Sequence, residues 1–316
     1  MRNGCSRLRC VFAGTPDVAA VALRALIDTD HEIVGVITRP DSPAGRGRTL
    51  QRSPVGLVAD EFGIPVLMPV SLKDAEFRAA LMQLEPECIP VVAYGNLVPA
   101  DLLGVAPHGW INLHFSILPA LRGAAPVQWA VMHGDEITGA STFLIGPGLD
   151  DGPIFGTVTE RIFPTDTSGD LLERLATFGS QLLIGTLDGI EAGELVPANQ
   201  PIDGITFAPK LSIEDSRVRW DDPWVGVDRR IRATTPSPGA WTMLGADRVK
   251  LGPLQHKDPI DLPSLGPGEL FATKSAVWVG TATKPACLDS IQPSGKKLMN
   301  AADWARGLDV IGLKFT

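Results

Sequence analysis

Three side chains near the middle of this 316-residue sequence are of the types that acyl transfer requires. Asn112 and His114 lie two residues apart at the end of the apolar run Trp110–Phe115. Asp150 follows in the glycine-flanked stretch Gly148-Leu149-Asp150-Asp151-Gly152. On a strand, residues two apart share a face, so Asn112 and His114 are expected to project side by side. An amide donor beside an imidazole can stabilise a carbonyl oxygen as it gains negative charge. An aspartate facing that imidazole can orient it and favour its protonated form. Each residue also has an ordinary use, as a buried hydrogen-bonded histidine, a turn asparagine or a turn aspartate. The pairing on one strand end sets a functional reading of the first two level with that ordinary one; spacing alone does not join Asp150 to them.

The elements that must position these residues follow from the apolar pattern. Leu8–Ala13 predicts a strand, Gly14-Thr15-Pro16-Asp17 a turn, Val18–Ile27 a helix and Ile33–Thr38 a second strand. This is a βαβ unit and points to a parallel sheet. Further helices are expected at Ser53–Phe62, Ser71–Leu84, Ala125–His133 and Thr167–Leu187. Further strands are expected at Pro65–Leu67, Cys88–Tyr94, Trp110–Phe115, Ala140–Ile145 and Ile154–Ile162. In open α/β sheets, ligands bind beyond the carboxyl ends of the strands, which is where Asn112 and His114 would stand. The first turn has a single glycine, and Pro16 removes an N–H that a phosphate would need, so a nicotinamide dehydrogenase is disfavoured.

Between Val196 and Ile213 periodicity is lost, and Pro197, Asn199, Pro201, Gly204 and Pro209 accumulate. The expected organisation is an α/β chain with a Rossmann-like, mostly parallel domain over residues 1–196 and a linker over 197–211. A second domain covers 212–316. There a helix at Trp224–Arg232 precedes short runs at Ala240–Leu244, Arg248–Leu251, Glu269–Ala272, Ala276–Thr281 and Ala286–Ile291, with a last helix at Ala301–Arg306. Short strands at such spacing predict a small OB-like β-barrel.

Bulk properties narrow the class. A hydrophobic fraction of 44% is enough for a core without disulfide staples. Cys5, Cys10, Cys88 and Cys287 form no CxxC pair and no Cys/His cluster, which speaks against zinc and for a reducing, cytoplasmic setting. No apolar run approaches the ~20 residues of a membrane span, and the N-terminus lacks the pattern of a cleaved leader. The net charge of −8 argues against general nucleic-acid binding, but it is unevenly spread. Residues 211–316 hold 14 Lys/Arg and 12 Asp/Glu, whereas the rest holds 14 and 24. The C-terminal part is therefore the half better suited to approach a polyanion.

Taken in order along the chain, these pieces form a specific pattern. Phe12-Ala13-Gly14-Thr15-Pro16 and Pro40-Asp41-Ser42-Pro43-Ala44-Gly45-Arg46-Gly47 come first. Val92-Ala93-Tyr94-Gly95 and Asn112-x-His114 with Ser116-Ile117-Leu118-Pro119 follow, then Arg122-Gly123-Ala124-Ala125-Pro126 and Gly148-Leu149-Asp150. The C-terminal part adds Ile231-Arg232-Ala233, Pro238-Gly239-Ala240-Trp241 and Gly295-Lys296-Lys297-x-Met299. Over its whole length the sequence resembles the folate-dependent formyltransferases. The resemblance implies that Asn112, His114 and Asp150 are catalytic and that 10-formyltetrahydrofolate is the one-carbon donor, with no metal. It implies that Tyr94 and Gly95 line the pteridine pocket, and that Ser116, Ile117, Leu118 and Pro119 border the folate. The implied acceptor is the amine of initiator methionyl-tRNA. Arg46 matches a tRNA-contacting loop arginine, and Arg48, Arg232, Lys296 and Lys297 would add phosphate contacts. A monomer is expected.

The chain departs from the family's usual pattern in three places. Phe115 follows the histidine where glycine is common, and strand alternation turns it away from His114 into the sheet. Asp151 replaces a common threonine, and Ala120-Leu121 replaces a stretch that is often basic and aromatic. Other readings are formyl transfer to a nucleotide-sugar amine or, less compatible with the basic loop, to glycinamide ribonucleotide, and a non-catalytic tRNA- or folate-binding protein.

Overall fold

The computed structural model describes residues 7–44, 49–259, 262–308, 310 and 312–316. Its contacts divide the chain into two compact units. One comprises residues 1–126, 137–161 and 172–209; the other comprises 127–136, 162–171 and 210–316.

In chain order the α/β region runs β1 (Arg9–Gly14), α1 (Asp17–Ile27), β2 (Glu32–Ile37), β3 (Ser42–Ala44), β4 (Thr49–Gln51), α2 (Pro54–Glu61), β5 (Val66–Leu67), α3 (Ala75–Gln83), β6 (Ile89–Val92), β7 (Trp110–His114), α4 (Pro126–His133), β8 (Ile137–Leu144), β9 (Ile154–Arg161) and α5 (Ser168–Glu191). The seven-stranded sheet has the order β5-β2-β1-β6-β7-β8-β9. The first five are parallel, and β8 and β9 are antiparallel. β1 and β6 are buried almost throughout, which is why they read as unbroken apolar runs. The chain builds outward from β1 to β5, then returns to the other side of β1 with β6 and β7. That reversal creates a crevice at the carboxyl ends of the central strands.

Local chemistry sets the element ends. The Ser53 hydroxyl accepts from the Gly56 N–H, and Pro54 occupies the first helical position of α2. The α3 helix is shorter than the expected Ser71–Leu84, because Asp74 caps it by accepting from the Glu76 N–H. Between β2 and α2 the flanks of the arginine-bearing Thr38–Gln51 segment pair as the hairpin β3–β4. Its base is closed by a Thr38–Ser53 hydroxyl contact of 2.7 Å.

The second unit contains α6 (Trp224–Ala233), β10 (Trp241–Leu244), β11 (Asp247–Leu251), β12 (Leu254–Gln255), β13 (Leu270–Ala272), β14 (Val277–Val279), β15 (Ala286–Leu288), β16 (Ser290–Gln292), β17 (Met299–Asn300) and α7 (Ala301–Ala305). Two four-stranded antiparallel sheets form, β10-β11-β16-β17 and β12-β15-β14-β13. The expected single run Ala286–Ile291 is divided at Asp289, so that β15 enters one sheet and β16 the other. Ile231, Val249, Leu251, Val277, Leu288 and Ile291 belong to one buried core that unites the two sheets.

The 197–211 stretch is not a free linker. Ala198 exchanges both backbone hydrogen bonds with Ile154 at 2.7 and 2.8 Å. Arg122 donates to the Thr206 carbonyl at 2.9 Å, and its own carbonyl accepts from the Ala208 N–H at 2.7 Å. Low periodicity here reflects an irregular path pinned to the first unit, because a laid-down segment without helix or strand leaves no sequence period.

Gly14 shows what the first turn is for. A Cβ on it would stand 2.7 Å from the Ala19 Cβ and 2.8 Å from the Val92 carbonyl oxygen. The glycine lets β1, α1 and β6 approach closely, independently of any phosphate. Gly14→Ala is expected to destabilise the protein by about 1–3 kcal/mol through overpacking. Urea unfolding measures this, and an unchanged midpoint would refute the packing role.

Candidate active site

Strand β7 delivers Asn112 and His114 to one place. Opposite them on the antiparallel neighbour β8 stand Phe143 and Ser141 respectively. Both side chains line a cavity of about 500 Å³ at the carboxyl ends of β6 and β7. Tyr94, Gly95, Gly123 and Asp150 also line it, and Leu97, Val98 and Ile145 supply an apolar wall. Its size and mixed lining suit a small-molecule site.

His114 is buried, and its Nε2 lies 3.0 Å from the Leu121 carbonyl oxygen. A carbonyl only accepts, so Nε2 carries the proton. Nδ1 stands 3.7 Å from Asp150 Oδ2, beyond hydrogen-bond distance. Phe143 approaches the imidazole edge-on, with centroids 6.4 Å apart. Burial pushes the His114 pKa below its ordinary value, while the Asp150 charge and the Leu121 carbonyl oppose the shift less strongly. The sequence suggested a protonated imidazole. Here desolvation outweighs the carboxylate, leaving a neutral ring whose Nδ1 lone pair faces Asp150. Such a ring accepts a proton more readily than it donates one to an oxyanion.

Asp150 sits on the β8–β9 loop, with its backbone in the left-handed region at φ 47°. Its Oδ2 accepts from the Gly123 N–H at 2.8 Å. Its main-chain carbonyl accepts from Gln200 Nε2 at 2.8 Å. Of the four non-glycine residues with positive φ among the described residues, Ala93, Leu121 and Asp150 adjoin this site. Each such conformation costs on the order of 1–3 kcal/mol and persists only where neighbours over-determine it.

The remaining expected site residues are distributed unevenly. The Tyr94 ring is buried in the core beside the cavity, and burial pushes its phenol up. Gly95 adopts φ 81°, and its carbonyl accepts from Arg39 at 3.0 Å. Ser116, Ile117, Leu118 and Pro119 do not line the cavity. Ser116 Oγ is spent on the Ala120 carbonyl at 2.6 Å, and the Leu118 N–H donates to Ser141 Oγ at 3.2 Å. These residues shape the turn that carries Leu121 and Gly123. Phe115 is buried, as expected, and with Leu113 it also borders the cavity where β7 ends. The exposed Asp151 folds its carboxylate back over Gly148.

The basic residues sort by burial. Arg46 and Arg48 lie outside the described residues. In the same stretch, Arg52 is paired with Asp60 at 2.6 Å. Arg232 is only 7% exposed; it pairs with buried Asp228 at 2.7 Å and donates to the Asp166 carbonyl at 2.9 Å. The expected phosphate contact by Arg232 is therefore corrected: its guanidinium is committed inside the second unit. Lys296 and Lys297 are exposed in the turn between β16 and β17. Sequence reasoning missed Gln200 and the Leu121 carbonyl. Neither a glutamine in an aperiodic stretch nor a main-chain acceptor carries a sequence signal.

An α/β sheet with a crevice at the strand reversal, holding an amide, a buried imidazole and a carboxylate, is of the class of fold and site that can support group transfer. Comparison with known proteins gives the class a family. Residues 8–187 match the family model described as formyl transferase, and residues 210–309 match that of the formyl transferase C-terminal domain. The chain is 56% identical over 301 residues to the methionyl-tRNA formyltransferase of Rhodococcus erythropolis, covering 95% of this chain and 97% of the relative. It is 57% identical over 303 residues to that of Mycobacterium tuberculosis, covering 95% and 97%. Among solved structures, HypX from Aquifex aeolicus in complex with tetrahydrofolic acid is similar in fold, with a TM-score of 0.69 at 18% identity. The match covers 95% of this chain and 47% of HypX, so the chain spans about half the length of that protein. The chain belongs to the formyl transferase family.

The histidine gives a pH prediction. Its neutral form is favoured by folding, so its stabilising contribution is full above the unfolded-chain value of about 6.5 and is lost as pH falls through the lower folded pKa. His114→Asn is expected to lose less stability than the wild type on going from about pH 8 to about pH 5. Parallel thermal-unfolding series check this, and identical slopes would contradict the buried neutral ring.

Proposed function

We propose that this chain transfers the formyl group of 10-formyltetrahydrofolate to the α-amino group of initiator methionyl-tRNA, in the cytoplasm and as a monomer. The observation that carries the reading is the convergence of Asn112, His114 and Asp150 on one cavity, in a chain so similar to methionyl-tRNA formyltransferases.

The cavity suits the donor: it is large enough, apolar-walled by Leu97, Val98 and Ile145, and edged by Tyr94 and Gly95. The bound folate supplies a formyl group carried as an amide of N10. The net reaction exchanges that C–N10 bond for a bond from the formyl carbon to the amine and moves one proton from the amine to N10. Asn112 donates its amide N–H to the carbonyl oxygen as charge develops there. His114, neutral and protonated at Nε2, offers Nδ1 to the proton that the amine must shed. Asp150, 3.7 Å from Nδ1, stabilises the imidazolium so formed. The exposed Lys296-Lys297 pair contacts phosphates, which positions the RNA without specifying its sequence.

Asn112→Ala is expected to lower formylation of methionyl-tRNA by about 10²–10³ in turnover. Near-normal turnover would remove Asn112 from the site. Supplying a nucleotide-sugar amine in place of the charged tRNA tests the acceptor, since faster formylation of the sugar would overturn it. Replacing Lys296 and Lys297 with alanine is expected to weaken tRNA binding and make its salt dependence shallower by about two phosphate contacts. Unchanged salt slopes would rule out that contact.

A further inference from the structure

We propose that Gln200 is a positioning residue that holds Asp150 against His114, and that the stretch from Ala198 to Ala208 clamps both loops meeting there. The inference rests on the roles given above to Asp150 and His114. Gln200 uses its whole hydrogen-bonding capacity at this point. Nε2 donates to the Asp150 carbonyl and to the Gly152 carbonyl, each at 2.8 Å. Oε1 accepts from Arg122 Nε at 3.1 Å and Nη2 at 2.6 Å. An amide has two donors and an oxygen with two lone pairs, so all four valences are filled.

The two ends of this amide tie together the loops that the imidazole touches. The Arg122 loop provides the Leu121 carbonyl for Nε2 and the Gly123 N–H for the Asp150 carboxylate. Beyond Gln200, the same stretch secures that loop again: Thr206 Oγ1 accepts from the Leu121 N–H at 2.8 Å, and the Ala208 carbonyl accepts from the Ala125 N–H at 3.1 Å. A Cβ at Gly123 would lie 2.6 Å from the Ala208 carbonyl oxygen, so the approach leaves no slack. Asp150 at φ 47° and Leu121 at φ 58° both lie in the left-handed region, where a non-glycine residue relaxes once its restraints go. Releasing the Asp150 carbonyl frees its backbone to turn the carboxylate away from Gly123 and from Nδ1. Few other side chains could serve. Glutamate keeps the acceptor for Arg122 but lacks both donors, lysine donates but cannot accept, and asparagine is one methylene shorter.

Two variants separate the ends of the amide. Gln200→Glu retains an acceptor for Arg122 and loses the donors to the loop; Gln200→Met loses both. In the full-length protein, with methionyl-tRNA and 10-formyltetrahydrofolate as substrates, both are expected to reduce kcat by about 10–100-fold. KM for each substrate is expected to stay within about twofold, because the residue acts through Asp150 and touches neither substrate. Combining Gln200→Glu with Asp150→Ala is expected to add no further loss beyond Asp150→Ala alone. Wild-type kcat in Gln200→Glu overturns the proposal, as does full additivity in the double variant or loss of folding in both single variants. If Asp150→Ala itself turns over normally, the role of Asp150 fails and this inference falls with it. An inactive Asp150→Ala beside a fully active Gln200→Glu condemns the positioning role alone.

Discussion

Burying an imidazole beside a carboxylate sets two demands that pull against each other. Desolvation favours the neutral ring, while the negative charge favours the imidazolium. At His114 the first is stronger, and the 3.7 Å separation from Asp150 explains why. A direct hydrogen bond would give the carboxylate a far larger hold on the ring proton. At this distance the ring stays neutral at rest and can still take up a proton when one is offered. The Leu121 carbonyl makes the arrangement unambiguous by fixing the tautomer: with Nε2–H committed, only Nδ1 is available for chemistry.

That separation depends on backbone that would not adopt its conformation unaided. Ala93, Leu121 and Asp150 all have positive φ, and each would be more comfortable elsewhere. The restraints come from three directions. β6 and β7 fix the floor through their parallel register, in which Val91 stands opposite Asn112. β8 fixes one wall through Phe143. The irregular stretch after α5 fixes the loops above. Strain concentrated where several chain segments meet is the usual signature of a preorganised site.

How much of this was legible in the sequence follows from what produces a period. β1, β6 and β7 are buried runs, and their pattern placed them within a residue or two of their observed limits. Asn112 and His114 could be paired because strand alternation is a rigid rule inside a strand. Phe115 lies one residue past the strand end and, like Leu113, is among the residues that line the cavity. Asp150 could be attached to His114 only by resemblance, since His114 ends β7 while Asp150 lies on the β8–β9 loop and is held through Gly123. Gln200 was invisible because its value lies in two carbonyls of one loop and a guanidinium of another, both far from it along the chain. The split of Ala286–Ile291 between two sheets was equally hidden, as a change of sheet at Asp289 leaves the apolar pattern intact.

Charge is read less securely from sequence than polarity, and the second unit shows why. Arg232 and Lys296 are both cations within a match to the same family, yet they face opposite energetic problems. Arg232 is taken out of water, a step that costs several kcal/mol per ion unless a partner of opposite charge is supplied. Asp228 supplies it, and also meets His256 Nε2 at 3.1 Å, so the charge is balanced within the unit. A phosphate offered to Arg232 would have to displace Asp228 and leave a 2%-exposed carboxylate without its cation, which removal of a buried partner makes prohibitive. Lys296 remains in water on a turn between short strands, where a phosphate replaces only solvent and counterions. The same formal charge is therefore structural in one place and available for recognition in the other, and burial decides which.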